Sequence, residues 1–158
     1  MELKEALSYA LDRLLSSGID HAEGVINESE KKELNVEAGK ITLFRTTFSN
    51  SLSLDAIKDY KESSIHINKI DKGSIDSSIS TLIENVESSK VDDSNGISEN
   101  QSKEIFSKGE LKADLNLMYD RIEDFNNYVK KDHKKIILEA VNLIHGSSKS
   151  HILNTNGV

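Results

Sequence analysis

The spacing of the apolar residues changes along the chain, and this change limits the folds that the chain can adopt. From Leu3 to Leu15 they recur every three or four residues, which is typical of a helix with one apolar face. From His21 to Asn68 they alternate with polar residues, which is typical of strands buried on one face. A helical spacing returns from Ile75 to Val86. The pattern predicts an α+β fold: an antiparallel sheet, wound as a meander, with helices packed on one face.

The same spacing predicts where each element begins and ends. A first helix is expected from Glu2 to Ser17, with Gly18 as its C-terminal cap. Five short strands are expected at 22–29, 33–37, 41–48, 51–57 and 64–68, with Gly39 supplying the positive φ of a hairpin turn. The predicted later elements are a helix at 74–88, a short extended or turn segment at 114–120, a helix at 127–145 closed by Gly146, and a strand at 150–158.

These elements predict one domain in three segments. Residues 1–89 form a helix–antiparallel sheet–helix core, and residues 105–158 complete the same domain with a helix and a terminal strand. Residues 90–104 are predicted to be a mobile linker, because they have too few apolar side chains to offset the entropy of ordering. Its acidic residues lack the ligand spacing of a calcium loop.

Composition and charge exclude several classes of function. The formal net charge of −7 disfavours direct binding to nucleic acid, which usually requires a basic stripe. The nearest basic cluster lies at 130–135 and is interpreted as a solvated helix face. The absence of cysteine excludes disulfides and thiolate sites, and no apolar run is long enough to cross a membrane. A cytoplasmic location is expected, with no membrane partner.

No catalytic, cofactor-binding or metal-ligating residue can be assigned from the sequence. The five histidines are isolated, and each is interpreted as structural or as a surface residue: His21, His66, His133, His145 and His151. His145 is predicted to end a helix, where a cation meets the negative end of the dipole. There is no Gly-x-Ser-x-Gly turn and no glycine-rich phosphate loop.

Three stretches resemble the amino-terminal domain of the TldD/PmbA proteins, once called modulators of DNA gyrase and now regarded as metalloproteases. Residues 17–23 are similar to that family's G-x-x-x-A-E segment before the first strand, and residues 34–41 to its strand–x-x-G-K–strand hairpin. Residues 151–158 are similar to the N-S-x-G segment that closes the first domain, and the spacing around 114–120 is somewhat closer to the PmbA type. The family commonly has a glycine-rich strand after the hairpin, whereas this chain has Thr47–Leu52.

The resemblance implies a function for a longer protein rather than for this chain alone. It implies proteolysis of peptides by a homo- or hetero-oligomer of TldD/PmbA-type subunits, to which this domain contributes subunit contacts and part of the substrate enclosure. The TldD-type zinc motif, His-Glu-x-x-x-His with a later Cys, would lie in the carboxy-terminal half. No catalytic residue and no cofactor are therefore carried over to this chain.

Alternatives stay open at this point. The chain could be a stand-alone, non-enzymatic binding or adaptor module, or a small unrelated enzyme without a known motif. The strands at 34–36 and 41–43 offer an edge that an extended peptide could join by strand addition. The simpler interpretation is an ordinary sheet edge that binds nothing. The Asn-Thr-Asn-Gly turn before Val158 leads to the expectation that more chain follows, of either the catalytic or the partner type.

Overall fold

The computed structural model describes residues 2–99 and 102–157, which form three helices and four strands. The elements are α1 (Leu3–Ser16), β1 (His21–Glu37), β2 (Lys40–Lys58), β3 (Lys61–Ile67), α2 (Lys72–Ser88), α3 (Leu115–Asp132) and β4 (Ala140–Asn154). The strands form one sheet in the order β3-β2-β1-β4, so β1 to β3 are a meander and β4 lies beside β1. This confirms the predicted α+β class and the antiparallel sheet.

The first two helices lie where their spacing predicts them. Local residues mark the end of α1 and the start of α2. Gly18, with a φ of +84°, follows α1 in the left-handed conformation that closes a last helical turn. Asp71 precedes α2, and its carboxylate accepts hydrogen bonds from the Ser74 N–H at 3.0 Å and the Ser74 hydroxyl at 2.7 Å.

The predicted number of strands, five, is wrong: the first four merge into two long strands, β1 and β2, and the fifth corresponds to β3. β1 continues through residues 30–32, between two predicted strands, and β2 continues through residues 49–50. The predicted hairpin turn at Gly39 is present. Ala38 and Gly39 have φ values of 47° and 75°, and Asp59 and Tyr60 have 51° and 60°, so each pair forms a two-residue turn between antiparallel strands.

The bounds predicted for the elements after residue 110 are wrong, although residues 127–132 are helical and residues 150–154 are in a strand as predicted. The segment 114–120 is not extended: Asp114 caps α3 by accepting a hydrogen bond from the Leu117 N–H at 3.0 Å. Helix α3 ends at Asp132 rather than at 145, and Gly146 lies inside β4 rather than capping a helix. Strand β4 begins at Ala140, ten residues before the predicted terminal strand, because its backbone pairs with β1. Val158 lies outside the described residues.

The chain divides into two compact units, and β1, β2 and β4 each contribute to both. Unit 1 contains residues 1–28, 49–107 and 149–158, and unit 2 contains residues 29–48 and 108–148. The proposed division into a core, a linker and a completing segment stays a prediction. Residues 100 and 101 of the predicted linker lie outside the described part of the chain.

Unit 1 has a closed hydrophobic core between its helices and strands. The fully buried side chains include Leu7 and Leu14 of α1, Leu52 and Leu54 of β2, and Leu82 of α2. The two helices are joined at their polar sides, where the Tyr9 hydroxyl donates to Asp76 at 2.8 Å. This hydrogen bond, with the charge of Asp76, raises the pKa of Tyr9.

Unit 2 has a much smaller core, formed by one helix and the strands. Met118 and Ile122 of α3 are buried with Leu34 and Val36 of β1, and Val141 of β4 packs against them. At the turn between β1 and β2, the Ala38 N–H donates to the carbonyl of Glu139 at 3.1 Å. None of the helices in the described residues has the length and apolar character that crossing a membrane requires.

Candidate functional site

The structure separates the five histidines rather than gathering them. His21 begins β1, His66 lies in β3, His133 caps the end of α3, and His145 and His151 lie in β4. The prediction that His145 ends a helix is wrong: its Nε2 lies 3.0 Å from the carbonyl oxygen of Glu110, and it is half-buried in a strand. In the described part of the chain, no three histidine or carboxylate side chains are close enough together to hold a metal ion.

His66 does contact a hydroxyl that could act as a nucleophile. Its Nδ1 lies 2.9 Å from the Ser53 hydroxyl, and the two residues are directly opposite each other in the β2–β3 ladder. The contact is on the exposed face of these strands. Nucleophilic catalysis would require a third group to orient the imidazole and donors for an oxyanion, so we interpret the pair as a cross-strand hydrogen bond.

Two open clefts lie on unit 1. One is at the start of α2, between Lys69, Asp71, Ser74 and Ser77. The capping carboxylate of Asp71 already accepts the hydrogen bonds of Ser74 and places a negative charge there, which disfavours an anionic ligand. Ser74 also holds the pKa of Asp71 below its usual range, so the charge is kept.

The second cleft lies beside Asp55, Glu62 and Asp92. Burial raises the pKa of Asp55, whereas hydrogen bonds from Ser94 lower the pKa of Asp92. The side chain of Asp92 is used to order its own loop, accepting from the Ser94 N–H at 3.0 Å and from its hydroxyl at 2.7 Å.

The most unusual surface of the molecule is the part of β2 in unit 2, Lys40–Phe48, which we call the β2 edge. Every one of these nine residues is exposed, including Ile41, Leu43, Phe44 and Phe48. The exposed fraction of the Phe44 side chain is 51% and that of Phe48 is 71%. Because β3 pairs with β2 only from Leu52 to Lys58, the β2 edge has β1 on one side and no described strand on the other.

A buried carboxylate joins the β2 edge to β1. Glu33 of β1 is 6% exposed, and its Oε2 accepts from Arg45 Nε at 2.9 Å and Nη2 at 2.7 Å. Lys31 Nζ lies 3.1 Å from the other oxygen. Hydrogen bonds from Arg45, and to a lesser extent from Lys31, hold the pKa of Glu33 below its usual range, so the carboxylate stays ionised. The guanidinium group of Arg45 is therefore bound within its own sheet.

Comparison with solved structures defines the class of fold. No protein-family profile matches the sequence, and no curated protein matches it. The solved structures that resemble it include TldE from Thermococcus kodakarensis, and proposed modulators of DNA gyrase from Bacteroides thetaiotaomicron and Thermotoga maritima. Their TM-scores are 0.78, 0.78 and 0.70, at sequence identities of 14%, 16% and 13%.

The matches cover this chain almost completely but the other proteins only in part. They span 96%, 98% and 99% of this chain and 35%, 37% and 36% of those chains, respectively. The chain therefore has the fold of one amino-terminal domain, about a third of a TldE or gyrase-modulator chain. This confirms, at the level of the fold, the resemblance carried by residues 17–23, 34–41 and 151–158.

Proposed function

We propose that this chain is the amino-terminal domain of a TldD/PmbA-type protein that acts in the proteolysis of peptides. The domain would contribute to subunit contacts and to the enclosure around the substrate. The observation that carries the proposal is the fold match over 96–99% of this chain at TM-scores of 0.70–0.78. Hydrolase activity itself is assigned to residues outside this chain.

The exposed apolar side chains of unit 2 support a role in assembly. Large apolar side chains are more than half exposed on the β2 edge and on α3, as at Phe48 and Tyr128. A soluble monomer rarely leaves such residues in one region unless another surface covers them. We propose subunits of the TldD/PmbA type as that partner, in a homo- or hetero-oligomer in the cytoplasm.

The zinc that the resemblance implies does not fit this domain. A zinc site needs at least three suitably spaced side-chain ligands, and the described residues contain no such group. His66, His133 and His145 lie in different elements and do not form such a group of ligands. We therefore propose that any zinc of a TldD-type relative is held by the remainder of the longer protein, and we derive no chemical step through it here.

The proposal is tested by comparing the chain with the complete reading frame that encodes it. Purified residues 1–158 should contain no stoichiometric zinc and should not cleave unfolded peptides. The product of the complete frame, with its partner subunit where one is needed, should cleave them, and deletion of residues 1–158 should abolish assembly and cleavage together. Stoichiometric zinc in residues 1–158 would contradict the proposal.

The reading frame also separates this proposal from the adaptor alternative. Continuation after Val158 into a segment of about twice this length would support the protease-type protein, and a zinc motif in that segment would identify the catalytic type. A stop codon at that position would favour the stand-alone binding module.

A further inference from the structure

The β2 edge is a nine-residue length of strand with no described strand on its outer side. It presents a row of backbone N–H and C=O groups, which is a template for pairing with another strand. Its sequence, Lys-Ile-Thr-Leu-Phe-Arg-Thr-Thr-Phe, is rich in β-branched and aromatic residues, which favour strands. All of these side chains are exposed.

The outer edge of β3, in unit 1, is protected in a way that the β2 edge is not. Strand β3 is only seven residues long, and Lys61 forms an additional bridge with Val91. Just beyond this bridge, the Asp92 N–H donates to the carbonyl of Tyr60 at 2.9 Å. A short strand under a covering segment is one of the common ways in which proteins prevent edge-to-edge pairing.

The β2 edge has few of the features that usually protect an edge. It contains no proline, and its two cations are Lys40 at its first residue and Arg45. The Arg45 guanidinium is bound to Glu33 of the neighbouring strand, so its hydrogen bonds are made within its own sheet. An edge with these properties is suited to being paired rather than to facing solvent.

We infer that the β2 edge pairs with the β2 edge of a second copy of this chain, in antiparallel orientation about Phe44. This inference rests on the proposed role of the domain in subunit contacts, and it names the surface and the partner. A two-fold axis perpendicular to a sheet requires one residue to lie opposite its own copy. With Phe44 in that position, all nine residues of the edge find a partner.

The side chains of the β2 edge favour the register centred on Phe44 over its alternatives. The two Phe44 rings meet, Thr42 lies opposite Thr46, and Leu43 lies opposite Arg45, so favourable cross-strand pairs form and no like charges face each other. Lys40 lies opposite Phe48, where an ammonium group can contact a ring. Centring the pair on Arg45 would place two guanidinium groups opposite each other, and centring it on Thr42 would leave Arg45 to Phe48 unpaired.

The test is to replace Phe44 by a lysine or by a glutamate in the full chain. Because this side chain is half exposed, Phe44→Lys and Phe44→Glu should both fold. Each variant should raise the dissociation constant of the dimer by roughly tenfold or more, since like charges would lie opposite each other at the axis. An equimolar mixture of the two variants should restore dimerisation, because Lys then lies opposite Glu. Sedimentation equilibrium measures both effects, with Phe106→Lys at an exposed position of unit 1 as the matched control.

Hydrogen exchange provides a second measurement that does not depend on a variant. In the dimer, amides within residues 40–48 should exchange more slowly than in the monomer, while those of β3 should not change. A chain that remains monomeric at about 1 mM, a limit for weak association, would overturn the inference. So would a dimer that Phe44→Lys leaves intact, a mixture that fails to restore pairing, or a monomer whose edge binds an extended peptide instead.

These outcomes separate the inference from the proposed function. A dimer held through another surface would overturn pairing at the β2 edge and leave the proteolytic assembly as proposed. Paired edges in a protein whose complete frame cleaves no peptide would overturn the proposed function and leave the pairing intact.

Discussion

The two units of this chain use the same long strands but bury them to very different extents. In unit 1 the side chains of β2 meet two helices, and Leu54 has no exposed surface. In unit 2 the same strand carries Leu43 and Phe44, which are 38% and 51% exposed. The comparison teaches that apolar alternation identifies a strand, whereas burial depends on what covers each part of it.

The largest difference between the units should appear when leucine is shortened on this one strand. Leu54→Ala should cost about 2–5 kcal/mol, since a fully buried side chain loses its contacts and leaves a cavity. Leu43→Ala should cost roughly 1 kcal/mol or less, as expected for a largely exposed position. Urea unfolding of the two variants measures this difference, and equal losses would show that unit 2 is as closely packed as unit 1.

Glycine substitutions sharpen the same comparison. A Cβ at Gly24 in unit 1 would lie 2.5 Å from Leu7 Cδ1 and 3.0 Å from Leu54 Cδ2, so Gly24→Ala should destabilise by about 1–3 kcal/mol through overpacking. A Cβ at Gly146 in unit 2 would meet nothing within 4 Å. Gly146→Ala should therefore stabilise β4 by about 0.5–1 kcal/mol, because alanine loses less backbone entropy in a strand. Thermal unfolding would contradict this account if the two substitutions had the same sign.

The sequence predicted unit 1 better than unit 2, and the reason is physical. Helices α1 and α2 combine a continuous apolar stripe with local end signals, such as Gly18 and Asp71, so each is specified by neighbouring residues. The tight turn at 38–39 was likewise predicted from local chemistry, through Gly39. The length of the strands was missed, because polar runs such as 30–32 can continue a strand when a neighbour pairs with them.

In unit 2 the missed elements depend on distant pairing. Residues 136–145 have apolar positions that suit a helix or a strand, and pairing with β1 decides in favour of β4. The signal for α3 was present, since Asp114 is followed by Leu115, Met118 and Ile122 at helical spacing. The β2 edge was predicted as an apolar strand, with residues 41–43 in a sheet edge that a peptide could join. The extent of the edge could not be predicted, because it depends on where β3 stops pairing, and residues 34–36 lie in β1, between β2 and β4.

A smaller effect is expected from a buried amide in unit 2. Asn126 of α3 is 7% exposed, and its Oδ1 has no hydrogen-bond partner in the described structure. Asn126→Leu should stabilise the chain by about 1 kcal/mol, because it removes an unsatisfied polar atom and adds a better helix former. The neighbouring Asn127→Leu, at an exposed position, controls for helix propensity. If both variants gave the same gain in urea unfolding, the buried amide would have no cost of its own.

The smallest expected effect is a dependence on pH that belongs to unit 2. Hydrogen bonds from Arg45 and Lys31 lower the pKa of Glu33 in the folded chain. The stability that Glu33 contributes is therefore fully present above its pKa in the unfolded chain and is lost as the pH falls through its folded pKa. Glu33→Gln should accordingly destabilise the chain at pH 7 but much less at pH 3, whereas Glu37→Gln, exposed at the end of the same strand, should change little at either pH.

Thermal unfolding at both pH values measures this, and a loss from Glu33→Gln that is equal at pH 7 and pH 3 would show that the side chain acts by packing rather than by charge. In that case Arg45 would keep a free charge on the β2 edge, and the edge would be better protected against pairing than the structure indicates.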